Sequence, residues 1–291
     1  AALFSIDSAT GVLSFNSAPD FEVPADAGGN NVYDVTVQVS DGAGGTDTQA
    51  IAVTVTNANE APVITSNGGG VAAAVSAAEN QSAVTTVTST DVDGGAAAYS
   101  IAGGADAALF TIDASTGALT FVAAPNFEAP TDAGANNVYD VTVQVSDGAG
   151  GTDTQAIAVT VTNVNEAPVV MTSGGSAQYN ENAAPVVIDA ALAVSDPDSA
   201  MLSGATVRIT VAYDNTQDTL SFTNQLGISG AWDGVTGTLT LSGSATVAEY
   251  QAALRSITYV NGSEAPSIAV RTVSFTVSDG SATSAEATRQ I

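Results

Sequence analysis

The sequence has no lysine, no histidine and no cysteine among its 291 residues, and four arginines are its only basic side chains. The absence of cysteine excludes disulfides, and the absence of lysine excludes Lys–Asn cross-links. Histidine, cysteine and lysine are also the side chains that most often act as nucleophiles or proton carriers in enzymes. Paired carboxylates alone are no evidence of a glycosidase. The sequence therefore predicts a protein that is not an enzyme.

Positive charge is nearly absent, since 30 acidic residues against four arginines give a net charge of −26. Residues 1–207 carry no basic side chain. Nucleic acid is excluded as a partner, because binding to phosphates requires lysine or arginine. There is also no apolar run long enough to insert into a membrane. A surface this negative repels itself, which predicts bound cations, a salty environment, or both.

The chain repeats itself at an offset of 106 residues. Residues 2–63 match residues 108–169 at 50 of 62 positions, and residues 30–57 are identical to residues 136–163. A period near 100 residues is the size of an independently folding domain. The chain starts within a repeat, because nothing upstream of Ala1 corresponds to residues 63–106. We therefore expect a segment of a longer array with three parts, at residues 1–58, 59–164 and 165–291.

Apolar and polar residues alternate along most of the chain, as in residues 33–39 and 51–55. This period of two, with many β-branched residues, is typical of strands with one buried face. Glycine-rich loops such as residues 41–47 separate the strands as hairpins. The pattern predicts an all-β chain of tandem Greek-key β-sandwiches, with one short helix in the third domain. That helix starts at Thr246, which forms a capping box with Glu249.

Six motifs in register give the second domain a resemblance to a cadherin repeat. They are Ala78-Glu79-Asn80, Asp91-Val92-Asp93-Gly94, Thr116-Gly117, Asn126-Phe127-Glu128, Val145-Ser146-Asp147-Gly148 and Asn163-Val164-Asn165-Glu166-Ala167-Pro168. The third domain is similar at its edges, and its interior resembles the cadherin-related repeats of chondroitin sulfate proteoglycans. The composition resembles that of large bacterial surface adhesins.

The resemblance implies calcium ions at the junctions between domains, where oxygen ligands collect. Carried over by position, the ligands of the first junction are Asp20, Glu22, Asn57, Asn59, Glu60, Asp91, Asp93 and Asp147. Those of the second are Glu79, Asn126, Glu128, Asn163, Asn165, Glu166, Asp196, Asp198 and Asp279. Asp41 would serve a junction upstream and Glu181 a junction downstream.

The connectors differ from the family pattern Asp-x-Asn-Asp-Asn. Asn57 and Asn163 stand at the first aspartate, and Glu60 and Glu166 replace the second. Fewer carboxylates predict one or two ions per junction, with affinities of about 10⁻⁴–10⁻³ M, typical of extracellular modules.

These features predict a calcium-stiffened spacer or adhesion stalk on a bacterial cell surface. Its expected partners are calcium, and like copies of itself or cell-surface glycans and proteins. Two alternatives stay open: a structural subunit of an extracellular filament or surface layer, and a carbohydrate-binding module. The last would use aromatic residues of the third domain, namely Tyr213, Phe222 and Trp232.

Overall fold

The computed structural model describes residues 2–291 and consists mostly of β-strands, as the alternating pattern predicts. The chain divides into two compact units, one ending at Thr162 and the other spanning Asn163–Ile291. Within the described residues, no helix has both the length and the apolar character that crossing a membrane requires. The first unit contains both the initial partial repeat and the second domain.

The partial repeat, residues 2–56, forms two small antiparallel hairpins. Its strands are β1 (Phe4–Ile6), β2 (Leu13–Phe15), β3 (Val32–Ser40) and β4 (Thr46–Thr54). β1 pairs with β2, and β3 pairs with β4 through the glycine-rich loop predicted from the sequence.

The second domain is a sandwich of a three-stranded and a four-stranded sheet, with a short strand pair at its entrance. Its strands are β5 (Val63–Ile64), β6 (Ala72–Ala78), β7 (Ala83–Thr86), β8 (Ser89–Thr90), β9 (Ala98–Gly103), β10 (Phe110–Ile112), β11 (Ala118–Phe121), β12 (Val138–Ser146) and β13 (Thr152–Thr162). The strand orders are β10-β11-β7 and β6-β13-β12-β9, and β5 pairs with β8. The β6–β13 pair is parallel, whereas the other pairs are antiparallel.

Alternate residues of β12 and β13 form the core of this domain. Val143, Val145 and Val159 are fully buried, and the residues between them are more exposed. Aromatic residues are few, yet three of them meet here. Tyr139 packs edge-on against Phe121, with ring centroids 5.2 Å apart, and Phe110 stacks on Phe121 at 4.7 Å. The partial repeat contains the same arrangement, in which Tyr33 packs against Phe15 at 5.2 Å.

The third domain, which forms the second unit, also has two main sheets. Its strands are β14 (Val169–Met171), β15 (Val186–Val187), β16 (Ala193–Ser195), β17 (Met201–Val211), β18 (Asp218–Ser221), β19 (Ser229–Asp233), β20 (Thr238–Thr246), β21 (Thr258–Asn261), β22 (Thr272–Ser278) and β23 (Ala287–Gln290). The strand orders are β19-β20-β17-β22-β23 and β15-β21-β18, and β14 pairs with β16.

The predicted helix is present as α1 (Val247–Arg255). The Thr246 hydroxyl accepts from the Glu249 amide at 3.2 Å, and the Glu249 carboxylate accepts from the Thr246 amide at 2.8 Å. The helix buries Tyr250 and Leu254 against the core of the third domain. The prediction of one short helix is confirmed.

A buried polar network lies beneath the loop at residues 262–271. The Asp218 carboxylate accepts from the Tyr259 hydroxyl at 2.6 Å and from the Asn261 side-chain amide at 2.7 Å. It also forms an ion pair of 3.3 Å with Arg271. Burial, together with the Asp218 carboxylate, raises the pKa of Tyr259 far above its usual range. One of the four arginines is therefore used to neutralise a buried carboxylate.

The capping box gives a test of the fold. We expect Thr246→Ala to lower the free energy of unfolding of the third domain by about 1 kcal/mol, because the Glu249 amide loses its acceptor. Thr240→Ala is the matched control, since Thr240 lies exposed on β20. Thermal and urea unfolding would measure both; equal effects would contradict the assigned role of the cap.

Candidate metal site at the domain connectors

The connector between the partial repeat and the second domain is held by an aspartate of the second domain. Asp93 lies in the loop that follows β8. Its carboxylate accepts from the Asn57 side-chain amide at 2.8 Å and from the Glu60 backbone amide at 2.7 Å. The Asp93 amide in turn donates to the Asp91 carboxylate at 3.0 Å. Four of the predicted ligands are thus brought together.

Three carboxylates from different parts of the chain converge at this connector. Glu22 of the partial repeat, Glu60 of the connector and Asp93 of the second domain each place an oxygen within 4.8 Å of the other two. The structure also brings Asp20 close, because its charge contributes to raising the pKa of Glu60. Hard cations such as calcium bind to clusters of oxygen atoms of this kind.

The loop at residues 147–153 approaches the connector from the other side. The Asn59 side-chain amide donates to the Asp147 carboxylate at 2.7 Å. The same carboxylate accepts from the Ala149 and Gly151 amides at 2.7 Å and 3.0 Å, which fixes the loop. A Cβ atom on Gly151 would lie only 2.8 Å from Ala61 Cα, so the loop backbone packs directly on the connector.

The carboxylates at the connector differ in their electrostatics. Desolvation, followed by the charges of Asp93 and Glu22, raises the pKa of Glu60. The Glu60 amide and the Asn57 side chain lower the pKa of Asp93. Hydrogen bonds led by that of Asn59 lower the pKa of Asp147. The ionised forms of Asp93 and Asp147 are therefore stabilised. The ionised form of Glu60 is destabilised by desolvation and by the neighbouring negative charges.

The second connector, within the second unit, repeats this geometry. The Asn163 side chain donates to Asp198 at 2.8 Å, and the Asn165 side chain donates to Asp279 at 2.9 Å. The Glu166 amide donates to the second oxygen of Asp198. Carboxylate oxygens of Glu166 and Asp198 also lie within 4.8 Å of each other. The pattern therefore occurs twice, although the two following domains differ in sequence.

Asp196 supplies an observation that favours a cation. Its Oδ1 atom accepts from the Asp198 and Ser199 amides at 3.0 Å and 2.8 Å. Its Oδ2 atom is buried and has no hydrogen-bond partner among residues 2–291. A buried carboxylate oxygen is costly unless something satisfies it. A cation beside Asp196 would do so, and the oxygen-rich donor set fits calcium.

The remaining predicted ligands of the first unit have local contacts. Glu79 is buried and accepts from the Phe127 amide at 2.8 Å, and a Glu128 carboxylate oxygen lies within 4.8 Å of one of its oxygens. The Asn126 side chain accepts from the Ala129 amide at 2.7 Å. Glu79 and Glu128 therefore form a pair of carboxylates at the end of the second domain.

Among residues 2–291, Asp41 and Glu181 are not assembled with other predicted ligands, whereas Asp20 lies near Glu60 and also has a local contact. Asp20 accepts from the Val23 amide at 2.8 Å. Asp41 is exposed and only stabilises its own loop, through the Ala43 and Gly45 amides. Glu181 is exposed on the third domain. The assignments of Asp41 and Glu181, like the other ligand assignments, stay predictions.

Asp153 makes a contact that the sequence pattern does not predict. The Asp153 carboxylate accepts from the Ile64 amide at 2.8 Å, which ties the strand after the connector to the hairpin of β12 and β13. No local signal marks this role, because Ile64 lies 89 residues from Asp153 in the sequence.

The aromatic residues proposed for sugar stacking pack against the core of the third domain. Tyr213, Phe222 and Trp232 are all partly buried there. Tyr213 and Trp232 meet edge-on, with ring centroids 6.3 Å apart. These contacts are those of packing residues, and they do not present a flat platform of parallel rings.

Parts of this chain are similar in sequence to known proteins. A family model described as a bacterial Ig domain matches residues 59–160. Halomucin of Haloquadratum walsbyi is 30% identical over 152 residues, which cover 50% of this chain. Human protocadherin beta-1 is 34% identical over 125 residues, or 41% of this chain. These matches span 2% of halomucin and 14% of protocadherin beta-1.

Among solved structures, human CDH23 EC21-23 matches with a TM-score of 0.50 at 15% identity, over 99% of this chain and 80% of that one. The chain has a cadherin-like β-sandwich fold. The prediction of fold class is confirmed.

The raised pKa of Glu60 predicts that removing its negative charge stabilises the fold. Because the folded-state pKa of Glu60 is raised, its ionisation opposes folding, and this penalty grows as pH rises through the acidic range. We expect Glu60→Gln to raise the melting temperature of the metal-free chain at pH 7, and to leave it unchanged below about pH 3.

The matched control is Glu286→Gln, which removes the same charge from an exposed position of the third domain. Melts in a chelator at both pH values would measure the difference. A Glu60→Gln chain that melts at the same temperature as the control at pH 7 would contradict the assigned repulsion.

The contact of Gly151 with the connector gives a second test. We expect Gly151→Ala to destabilise the first unit by about 1–3 kcal/mol, because backbone atoms of Glu60 and Ala61 block the new methyl group. Gly45→Ala is the control at the identical loop, where only the flexible Asp41 side chain stands in the way. Urea unfolding would compare the two, and equal losses would contradict the loop–connector contact.

Proposed function

We propose that this chain is part of an extracellular spacer or adhesion stalk on a bacterial surface, stiffened by calcium at its domain connectors. The observation that supports this most directly is the repetition of one set of contacts at both connectors. In each, an asparagine side chain and a glutamate amide bind the same aspartate. A solvated acidic surface would have no reason to repeat these contacts.

The location and the general role are supported by the relatives. The chain resembles cadherin repeats and matches a bacterial Ig domain and halomucin. Repeats of this kind serve as spacers or adhesive modules, and their tandem arrangement suits a long stalk. The near identity of the two repeats also fits a spacer, in which the length of the array matters and the individual domains need not differ.

The chain's own residues suggest how stiffening would work. Glu22, Glu60 and Asp93 come from the repeat before the connector, the connector itself and the domain after it. Their like charges repel, and no lysine or arginine lies in residues 1–207 to offset them. Calcium, when bound, would supply the missing positive charge. The three carboxylates would then hold the connector instead of pushing its neighbours apart.

For the second connector the same ligand set is proposed from sequence correspondence. Asn163, Asn165, Glu166, Asp198 and Asp279 show the contacts of their counterparts, and Asp196 adds its buried oxygen. One or two ions per connector agree with the reduced number of carboxylates in both.

Calcium titration tests the proposal. We expect calcium to raise the melting temperature and to lengthen the particle in small-angle scattering, because an ion bound only to the ordered state stabilises it. At 100-fold excess over the dissociation constant this stabilisation is about 2.7 kcal/mol per site. Sodium chloride at equal ionic strength controls for screening of the charges.

Asp93→Asn should reduce the calcium-dependent gain, because the aspartate loses its charge at the point where three carboxylates meet. Asp34→Asn is the control, since it removes an equal charge from an exposed position of β3. If calcium and sodium act alike on the unaltered chain, the acidic residues are a solvated surface and the proposal fails.

A further inference from the structure

Three of the four arginines are bound within the third domain. They donate to carbonyl groups or pair with buried carboxylates, and they are Arg255, Arg271 and Arg289. The fourth, Arg208, is exposed on β17. In the part of the chain that the structure describes, its guanidinium has no hydrogen bond and no ion pair. Arg208 is therefore the one cation among residues 2–291 that is free to bind another group.

Arg208 lies at the centre of a flat sheet face. β17 is the middle strand of the five-stranded sheet, and Arg208 pairs with Thr238 of β20 and Ser274 of β22. Alternate residues of a strand face opposite sides, and around Arg208 these three strands present only glycine, serine and threonine on the outer side. We call residues 204–210 of β17, with their outward-facing partners on β20 and β22, the Arg208 face.

An acidic residue at the edge of this sheet does not neutralise Arg208. Asp233 lies on β19, opposite Thr238 and two strands away from Arg208. Its carboxylate accepts from the Thr236 hydroxyl at 2.7 Å and from the Val235 amide at 2.9 Å. These bonds lower the pKa of Asp233 and hold its charge at its own turn. The positive charge of Arg208 is thus not balanced within the sheet.

The four-stranded sheet of the second domain presents a face with the opposite charge. Asp140 is exposed on β12, and its neighbours across the sheet are Ala158 of β13 and Ala74 of β6. No other outward-facing residue of β6, β12 or β13 is charged. The Asp140 carboxylate has no hydrogen bond or ion pair with the residues that the structure describes. We call the outward-facing residues of these three strands the Asp140 face.

The two faces match in shape and in charge. Both are sheet surfaces with small side chains, so they can approach closely; packed sheets lie about 10 Å apart. Each has one free charge, of opposite sign. Removing either charge alone from water is costly, whereas pairing the two offsets that cost. We propose that the Arg208 face of one copy docks on the Asp140 face of a second copy, with these two side chains paired between the sheets.

The contact joins two different surfaces, so it does not close on itself. The first copy keeps its Asp140 face free and the second copy keeps its Arg208 face free. Heterologous contacts of this kind build open arrays, to which further copies add. This lateral assembly goes beyond the proposed spacer function, and it does not depend on calcium, because neither residue is a proposed ligand of a connector.

Salt should promote the contact. A net charge of −26 makes copies repel each other at low ionic strength. At about 1 M salt the Debye length falls to about 3 Å, which screens this repulsion, whereas a pair enclosed between two sheets is screened much less. We expect sedimentation equilibrium in a chelator to show a higher average mass in 1 M sodium chloride than in 0.05 M.

Arg208→Gln should weaken this association about tenfold, because Asp140 would then be covered without a partner. Gln178→Glu is the matched control, since it makes the same change of net charge at an exposed position outside both faces. Thermal melts check that both variants fold as the unaltered chain does.

Charge reversal tests the pairing itself. Arg208→Asp should abolish the association, and combining it with Asp34→Arg and Asp140→Arg should restore it. Asp34 is reversed together with Asp140 because it holds the same position in the identical segment of the partial repeat.

The cysteine-free chain allows the two faces to be located in the complex. Thr240→Cys lies exposed on the Arg208 face and Ala156→Cys lies exposed on the Asp140 face. In 1 M salt, a short bis-maleimide should link a mixture of these two variants at least tenfold faster than it links either variant alone. Equal rates, association that Arg208→Gln leaves unchanged, or a monomer at every salt concentration would overturn the proposal. Because these experiments use a chelator, their failure is separate from a failure of the calcium titration.

Discussion

At each connector, the structure depends on the hydrogen bonds that one aspartate accepts from the connector preceding its domain. Asp93 binds a side chain and a backbone amide of the first connector, and Asp198 does the same at the second. The Glu60 backbone amide and the Asn57 side chain lower the pKa of Asp93, so its charge is retained and attracts the connector. The other acids gather around this aspartate, and their mutual repulsion is what makes the site suited to a cation.

The identical segments of the two repeats show how far sequence determines local structure. Both copies form the same hairpin in the same register, with Tyr33 and Tyr139 packed at the same 5.2 Å from a phenylalanine. The exposure of Val39 and Val145 nevertheless differs completely. Strand pairing within a hairpin is local, whereas burial requires partners that are distant in sequence.

The third domain is also a β-sandwich, but its interior differs from that of the second domain. Its helix replaces part of the repeat pattern and packs Tyr250 and Leu254 into the core. In its interior Arg271 forms an ion pair with Asp218, away from the connector. The edge residues that meet the connector keep the geometry of the second domain, so the connector site is independent of how the domain's interior is built.

Sequence by itself determined the all-β fold, the repeat, the helix cap and the acidic and amide side chains available at the connectors, because period, capping and charge act over a few residues. Only the tertiary structure decided that Glu22, Glu60 and Asp93 meet, and that Asp196 has a buried oxygen with no hydrogen bond. It also decided that the Asp153 carboxylate accepts from the Ile64 amide, 89 residues away in the sequence. Contacts of this kind join residues far apart in the chain, and no local pattern encodes them.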